Sequence, residues 1–163
     1  IKIMKNVHME DVYKDYFSVV YKYLYSISHD ESMAEELTQE TFYRAVKSID
    51  KYKETCKIST WLCQIAKNLW YSELKKNKKH LNIDMENIYE NSDLAEEYID
   101  KEERINMFKE ISKLDDKTKE VIYLKLNGMT FKEIGEILDK NENWAKIVFY
   151  RGKEKLKEVD GNE

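Results

Sequence analysis

The sequence contains no proline and only four glycines among its 163 residues. These two residue types most often end helices and form tight turns, and a sheet-rich fold needs many such turns. Hydrophobic residues make up 42% of the chain, which is enough for packed cores in one ordinary domain or in two small ones. The composition therefore predicts an all-α protein.

The spacing of apolar side chains predicts where the helices lie. In the N-terminal half, apolar residues at three- and four-residue steps predict helices over about 7–28 and about 33–49. A third helix is expected to begin at a cap formed by Ser59 or Thr60, because either hydroxyl group can accept a backbone N–H. In the C-terminal half, the same spacing predicts a helix over about 94–113.

The segment 130–157 has the pattern of a helix, a short turn and a second helix that ends in a basic run. Gly135 lies where two crossing helices need a small residue, and Asp139 tolerates the left-handed conformation of a tight turn. This pattern is typical of a DNA-binding helix-turn-helix, with a helical hairpin for protein contact as the alternative. The predicted caps of this half are Asp115 or Asp116, Asn127 with Gly128, Thr130 with Glu133, and Asn141. The second helix is expected to bury Ala145, Val148, Phe149, Gly152 and Leu156.

The formal net charge of -4 is distributed unevenly along the chain. Residues 51–80 contain eight basic and two acidic side chains, whereas residues 81–110 contain three basic and ten acidic ones. A second basic segment, 144–157, has five basic side chains and one acidic one. Local basic surfaces attract polyanions even when the whole chain is acidic. The acidic stretch 84–93 lacks a helical stripe and predicts a flexible linker, with an ordinary solvated loop as the alternative.

The third predicted helix has two chemically different faces. One face is apolar and suited to burial, with Trp61, Leu62, Ile65, Ala66 and Leu69. The opposite face presents Gln64, Lys67, Asn68, Tyr71 and Lys75. Amide, cationic and aromatic groups of this kind can bond base edges, neutralise phosphates and stack on exposed bases. The face is a candidate nucleic-acid site, with an ordinary solvated face as the alternative. The preceding loop, with Tyr52 and three lysines, is either part of that site or a plain connector.

Metal and catalytic sites are not indicated by the sequence. Cys56 and Cys63, with three scattered histidines, match no standard zinc spacing, and reduced thiols are expected. No phosphate-cradling glycine loop and no histidine paired with a plausible nucleophile is found, so neither a cofactor nor an enzyme activity is expected. The sequence has no apolar run that could span a bilayer and no leader, which predicts a cytoplasmic protein without direct membrane insertion.

Two linked segments carry a resemblance to a known family. The N-terminal evidence is MAEELTQETFYRAVKSIDKY, residues 33–52, followed by STWLCQIAKNLWYSELKK, residues 59–76. The C-terminal evidence is LDDKTKEVIYLKLNGMTFKEIGEILDKNENWAKIVFYRGKEKLK, residues 114–157. In these residues, their order and their separation, the sequence resembles the extracytoplasmic-function (ECF) sigma factors of bacterial RNA polymerase, within the sigma-70 family.

The resemblance implies two small helical domains joined by a flexible acidic linker. A region 2-like domain, 1–82, would dock on core polymerase and melt and read the −10 promoter element. After the linker, 83–100, a region 4-like domain, 101–160, would read the −35 element with its helix-turn-helix. The implied partners are core RNA polymerase, through its beta-prime clamp and beta flap, promoter DNA, and a membrane-anchored anti-sigma factor that would hold the protein at the membrane. No small-molecule substrate is implied.

The same resemblance implies three sets of contact residues. Core polymerase would be contacted by Glu36, Leu37, Gln39, Glu40, Phe42 and Arg44. The −10 element would be bound by Tyr52, Lys53, Lys57, Trp61, Gln64, Lys67, Asn68, Tyr71 and Lys75. The −35 element would be bound by Thr130, Glu142, Asn143, Lys146, Ile147, Tyr150 and Arg151.

Two places depart from the family pattern. Members usually have a glycine and then a hydrophobic residue in the turn, where this sequence has Asp139 and Lys140. Ile147 and Val148 stand where small polar and basic residues are common, so base contacts are not transferred side chain by side chain. A one-component transcriptional regulator is the alternative function, and it would need a ligand pocket or a dimer interface within 1–80.

Overall fold

The computed structural model describes residues 8–77 and 101–160, which form seven α-helices. The N-terminal half contains α1 (Met9–Ser28), α2 (Glu31–Ser48), a 3₁₀ turn (Ile49–Lys51) and α3 (Ile58–Lys76). The C-terminal half contains α4 (Lys101–Ser112), α5 (Asp116–Leu126), α6 (Phe131–Ile137) and α7 (Glu142–Asp160). No strand occurs in these described ranges, and the prediction of an all-α fold is confirmed.

Two expectations fall on residues outside the described ranges. These are the linker at 83–100 and the first residues of the helix expected over about 94–113, whose described part is α4. The division into domains at 1–82 and 101–160 therefore stays a prediction. Within the described residues, no helix is both long and apolar enough to cross a membrane.

Capping interactions account for the connection between α1 and α2. α1 ends because His29 adopts the left-handed conformation, with φ 55°, and its N–H donates to the Tyr25 carbonyl oxygen at 3.0 Å. α2 begins after Asp30, whose Oδ1 atom accepts from the Met33 N–H at 2.9 Å. The three N-terminal helices pack through buried side chains, among them Val20, Tyr23, Leu24, Ala34, Phe42, Ala45, Leu62 and Ala66.

The start of α3 differs from the prediction. The helix begins at Ile58, directly after Lys57 in an extended conformation, and no side chain caps it. Thr60 already lies inside the helix and is fully buried, with its hydroxyl group turned into the protein. The predicted cap at Ser59 or Thr60 is therefore wrong, because the helix begins at Ile58 and both residues lie inside it.

The predicted caps of α5, α6 and α7 are confirmed. An Asp115 oxygen accepts from the backbone N–H three residues later at 3.1 Å. Thr130 Oγ1 accepts from the Glu133 N–H at 3.2 Å, and Glu133 Oε2 accepts from the Thr130 N–H at 2.8 Å, which completes a capping box. Asn141 Oδ1 accepts from the Trp144 N–H at 2.7 Å. These caps position α7 relative to the helices before it.

The turn between α6 and α7 depends on two small or permissive residues. Asp139 adopts the left-handed conformation, with φ 57°, as its residue type predicts. A Cβ atom at Gly135 would lie 2.8 Å from the carbonyl oxygen of Lys140, so only glycine lets the turn backbone approach α6. The crossing of α5 and α7 uses a different glycine, Gly152, where a Cβ atom would lie 2.6 Å from Cγ2 of Thr118.

One hydrophobic cluster runs through both halves of the described chain. It contains Leu62, Ala66 and Leu69 of α3 together with Val121, Leu124, Ile134 and Ile137 of the C-terminal half. α3 packs against α6, and α1 packs against α5. A smaller cluster, formed by Phe108, Ile111, Ile122 and Tyr123, seats α4. The polar surface of α3 consequently faces the C-terminal half at close range.

Candidate nucleic-acid interface

The loop that precedes α3 is held by its own contacts. The Tyr52 hydroxyl group donates to the carbonyl oxygen of Cys56, and Glu54 adopts a left-handed conformation with φ 56°. The ring centroids of Tyr52 and Trp61 lie 5.0 Å apart, and Lys53 is exposed. A fixed loop with an aromatic pair and an exposed cation has the groups needed to stack on a base and to approach a phosphate.

Two residues of the polar α3 face contact the C-terminal half. Lys67 Nζ donates to Oδ2 of Asp139 at 2.5 Å, and Gln64 Nε2 donates to a backbone carbonyl oxygen of α6 at 2.7 Å. Asn68 and Lys75 on the same face are exposed, whereas Lys67 is only 3% exposed. The expectation that Lys67 lies on an open face is therefore wrong, because the turn between α6 and α7 covers it.

Tyr71, further along the same face, bonds to a buried carboxylate. Its hydroxyl group donates to Oε2 of Glu120 at 2.8 Å, and the Tyr23 hydroxyl group donates to Oε1 at 3.0 Å. Lys117 Nζ donates to the Tyr71 hydroxyl oxygen at 2.9 Å. Burial, together with the negative charge of Glu120, raises the pKa of Tyr71 well above its usual value. Glu120 is only 6% exposed, and these bonds compensate for its lost hydration.

Lys57 also reaches from the loop to the C-terminal half. Its Nζ atom lies 3.0 Å from Oε1 of Glu133, whose other oxygen accepts from the Thr130 N–H in the capping box. The hydrogen bond to Glu133 raises the pKa of Lys57. Burial of Glu133 acts to raise the pKa of its carboxyl group, but the bonds from Thr130 and Lys57 outweigh this and lower it. One carboxylate thus caps α6 and binds a loop lysine.

A cavity of about 440 Å³ lies where the loop meets the turn between α6 and α7. Tyr52, Cys56 and Trp61 line one side, and Glu136 lines the other. Burial and the charge of Glu136 raise the pKa of the Cys56 thiol. Cys63 is fully buried, and its pKa is raised to about 12 by burial. Of the two free thiols, only Cys56 is positioned to report on access to this cleft.

The start of α7 presents the predicted outward residues to solvent. The exposed residues are Glu142, Asn143, Lys146, Ile147, Tyr150 and Arg151. Ile147 and Tyr150 are 42% and 53% exposed, and Lys146 Nζ lies 3.5 Å from Oε1 of Glu142. Thr130, assigned to the same set, is exposed and caps α6. The predicted inward stripe packs inward, with Ala145, Val148, Phe149, Gly152 and Leu156 buried or half-buried. A helix face with amide, cationic and apolar groups can contact base edges and thymine methyl groups in a major groove.

The residues predicted to contact polymerase lie on both the surface and the core side of α2. The exposed or half-buried members are Glu36, Gln39, Glu40 and Arg44, and Arg44 Nε donates to Glu40 Oε1 at 2.8 Å. Leu37 and Phe42 are buried in the N-terminal core, where they hold α2 in place. Tyr43 and Val46, which the sequence reasoning did not assign, add exposed apolar area to this helix.

Sequence reasoning missed the carboxylates that contact the α3 face. Glu120 has a detectable signal for burial, because it lies on the same helical stripe as Val121 and Leu124. Asp139 was assigned only a turn role, and nothing near it in the sequence indicates its pairing with Lys67. The polar face that was predicted from α3 alone therefore packs against carboxylates of the C-terminal half.

A family model and two curated relatives match this sequence. Residues 12–80 match the model for Sigma-70 region 2. The ECF RNA polymerase sigma factor SigM of Bacillus subtilis (strain 168) is 29% identical over 91% of this chain and 93% of the relative. The ECF RNA polymerase sigma factor SigW of the same organism is 33% identical over 90% of this chain and 84% of the relative.

Two solved structures share the fold. The sigma factor RpoE from Bartonella quintana, solved in complex with the anti-sigma factor NepR, superposes with a TM-score of 0.69 at 19% identity, over 92% of this chain and 94% of that one. CnrH, solved in complex with the cytosolic domain of CnrY, superposes with a TM-score of 0.67 at 18% identity, over 95% and 88%. The relatives cover nearly the full length of the chain, so the resemblance in the sequence motifs is confirmed. These relatives are transcription factors rather than enzymes, and the chain belongs to the family of ECF RNA polymerase sigma factors.

Proposed function

We propose that this ECF sigma factor binds core RNA polymerase and directs initiation at promoters that it reads at two places. The N-terminal half melts and reads the −10 element, and the C-terminal half reads the −35 element. One observation carries the proposal: aromatic and amide side chains lie together in one cleft. Tyr52 and Trp61 are in contact there, and Gln64 lines the same cleft. An unstacked base needs both an aromatic surface and polar groups for its edges.

The α3 face supplies the second part of the proposed −10 contact. Lys67, Asn68 and Tyr71 follow Gln64 at helical spacing and continue the polar surface, and Lys75 lies one turn further. Cations on this line neutralise phosphates along a single strand, while the loop holds flipped bases. This division between backbone positioning and base contact is the one that sequence-selective nucleic-acid binding requires.

The exposed N-terminal part of α7 is the proposed reader of duplex DNA at −35, as the second helix of a helix-turn-helix. Asn143 is suited to bond a base edge, Lys146 and Arg151 to approach phosphates, and Ile147 to contact a thymine methyl group. Thr130, at the N-terminus of α6, is suited to a phosphate contact because the residue is exposed and its hydroxyl group can donate to a phosphate oxygen.

Core polymerase is the proposed partner of the exposed side of α2. Glu36, Gln39, Glu40 and Arg44 offer charged and amide groups, with Tyr43 beside them as exposed apolar area. In the two similar structures, the sigma factor RpoE is bound to the anti-sigma factor NepR, and CnrH is bound to the cytosolic domain of CnrY. By analogy, we propose that an anti-sigma factor controls this protein, which acts in the cytoplasm and is held at the membrane when that factor is membrane-anchored.

Run-off transcription with sigma-free core polymerase and a genomic library tests the proposal. We expect new transcripts whose start sites share one motif near −10 and another near −35. Core polymerase alone is the control for background starts. Transcripts no different from that background would overturn the proposal. Tight binding of duplex DNA without polymerase, combined with the absence of transcripts, would indicate a one-component regulator instead.

A further inference from the structure

We propose that the cavity between the loop before α3 and the turn between α6 and α7 binds a free guanine nucleoside triphosphate. The site combines Tyr52 and Trp61 of the N-terminal half with Glu136 of the C-terminal half. Tyr52 and Trp61 also belong to the proposed −10 set, but the nucleotide site is completed by the C-terminal half and needs neither polymerase nor promoter DNA.

The cavity has the size and the gradient of polarity that a nucleotide requires. Its volume of about 440 Å³ lies within the range of about 300–1,000 Å³ that small-molecule sites usually have. Half-buried side chains form its inner wall, whereas exposed lysines line its mouth. A nucleotide has the same gradient, with a flat base at one end and charged phosphate groups at the other.

Tyr52 and Trp61 provide the surface on which a base can stack. Their ring centroids lie 5.0 Å apart with 33° between the ring planes, so the two rings contact each other and present aromatic surface to the cavity. The Tyr52 hydroxyl group donates to the carbonyl oxygen of Cys56, which holds the ring in the loop. Stacking of this kind accepts any base, so polar groups must distinguish one base from another.

Two hydrogen-bond acceptors on the inner wall favour guanine. Gln64 Nε2 donates to the carbonyl oxygen of Glu136 at 2.7 Å, which leaves the Oε1 atom of the same amide for a ligand. The Glu136 carboxylate lies on the cavity side, because its charge adds to burial in raising the pKa of the Cys56 thiol. Guanine offers a carboxylate two adjacent donors, N1–H and the N2 amino group. Adenine has an unprotonated N1 at that place, and uracil has a single N–H between two carbonyl groups.

The mouth of the cavity is suited to phosphate groups. Three exposed lysines line it, Lys51, Lys53 and Lys140. Within the ranges that the structure describes, Lys51 and Lys53 form no ion pair. The carboxylate of Asp139 also lines the cavity, but Lys67 neutralises it at 2.5 Å. The mouth therefore has an excess of positive charge that attracts a polyphosphate.

Isothermal titration calorimetry of the full chain, without polymerase, tests the site. GTP is compared with ATP, UTP, guanosine and inorganic tripolyphosphate at equal ionic strength. We expect GTP to bind at least about tenfold more tightly than each of the others, because only GTP offers both the guanine edge and the phosphate groups.

Glu136→Gln is expected to weaken GTP binding by about tenfold or more, because the carboxylate that accepts from the guanine edge is lost. The same change removes a negative charge, so attraction by charge alone would become stronger instead. Glu10→Gln, at an exposed position of α1, changes the net charge equally and should leave the affinity for GTP unchanged.

Lys51→Ala combined with Lys140→Ala is expected to weaken GTP binding several-fold, since two of the three cations at the mouth are lost. Neither residue belongs to the proposed DNA-binding set. Lys14→Ala combined with Lys132→Ala, both exposed and outside the cavity lining, is the charge-matched control.

Alkylation of Cys56 by iodoacetamide locates the nucleotide without any variant. Cys56 lines the cavity, whereas Cys63 is fully buried. Saturating GTP should slow the reaction of Cys56 several-fold, and UTP at the same concentration should not. Reaction of Cys63 would report unfolding of a variant, and protection of Cys56 in the wild-type protein then gives the decision.

Equal affinities for GTP, UTP and tripolyphosphate would overturn the nucleotide site and indicate non-specific attraction of polyanions. Failure of GTP to bind, full affinity of Glu136→Gln for GTP, or a Cys56 thiol that GTP does not protect would also overturn it. Run-off transcription is measured separately, so normal transcripts without GTP binding leave the proposed function standing. Absence of transcripts counts against that function and leaves the nucleotide site to calorimetry and alkylation.

Discussion

The ammonium group of Lys67 lies 2.5 Å from the carboxylate of Asp139, although 72 positions separate the two residues in the chain. Lys67 belongs to the proposed −10 face on α3, and Asp139 forms the turn before α7. One ion pair therefore connects the two elements that are proposed to read DNA. Because Lys67 is nearly buried, the bond to Asp139 compensates its ammonium group for lost hydration.

Lys67→Ala combined with Asn68→Ala is expected to reduce promoter opening by about tenfold or more, because a charged and a neutral hydrogen-bonding group are lost from the −10 face. Binding to core polymerase should be unchanged, since both residues lie on α3 and the proposed docking surface is on α2. Permanganate footprinting measures opening, and a pull-down with core polymerase measures binding. Ser72→Ala, at an exposed position of the same helix, is the control. Loss of core binding in the double variant would contradict the assignment.

Lys146→Ala is expected to weaken transcription from promoters with an intact −35 element several-fold. Its exposed ammonium group lies 3.5 Å from Glu142 on the surface of α7 and can move to a phosphate. Loss of one phosphate contact should also lower the salt dependence of promoter binding by about one ion. Run-off transcription over a range of salt concentrations checks both effects, with Lys14→Ala on distant α1 as the control. An equal effect on promoters with a scrambled −35 element would speak against a −35 contact.

Gly135→Ala is expected to lower the free energy of unfolding by about 1–3 kcal/mol, because its Cβ atom would lie 2.8 Å from the backbone oxygen of Lys140. The backbone at the start of α7 would have to move, and with it the helix proposed to read −35. Urea denaturation measures the cost. Lys132→Ala, exposed on the same helix, should stay within about 0.5 kcal/mol of wild type. If Gly135→Ala also changed the free energy of unfolding by less than about 0.5 kcal/mol, the turn backbone would be able to move without strain.

His29 is expected to make the protein less stable in acid. Its burial at the end of α1, with a smaller effect from the charge of Lys119, lowers its pKa to about 4. The unfolded state has a pKa near 6.5 and so binds more protons between about pH 6.5 and pH 4, where the free energy of unfolding must fall as the pH falls. The loss should be on the order of 2–3 kcal/mol across that window.

His29→Asn should remove this pH dependence, because asparagine does not titrate there and tolerates the left-handed φ of 55°. Urea denaturation of both proteins at several pH values in the window gives the comparison. Parallel curves for wild type and variant would mean that His29 titrates normally in the folded protein.

Structural features that depend on residues close together in the sequence could be predicted from it. The caps at Asp115, Thr130 and Asn141 and the left-handed turn at Asp139 depend on side chains within three residues of the backbone groups that they serve. The exception is the start of α3. There two adjacent hydroxyl residues suggested a cap, but the helix begins before both of them, at Ile58.

Contacts between distant parts of the chain could not be predicted in the same way. The polar face of α3 was recognisable from its spacing, but an exposed lysine and a buried, paired lysine give the same local pattern. Lys67 was therefore expected on an open surface. Glu120 lies in an apolar run, which signals burial but does not identify Tyr23 and Tyr71 as its partners. Those identities depend on how the two halves pack.

Asp139 both forms the left-handed turn before α7 and pairs with Lys67 on the α3 face. Glycine at this place would form the same left-handed turn with less strain. It would also leave Lys67 without a carboxylate partner. Exchange between these two turn residues would thus change the surroundings of Lys67, while every residue that is proposed to touch DNA or polymerase stays the same. The packing between the turn and α3 can therefore vary independently of the side chains that are proposed to read the promoter.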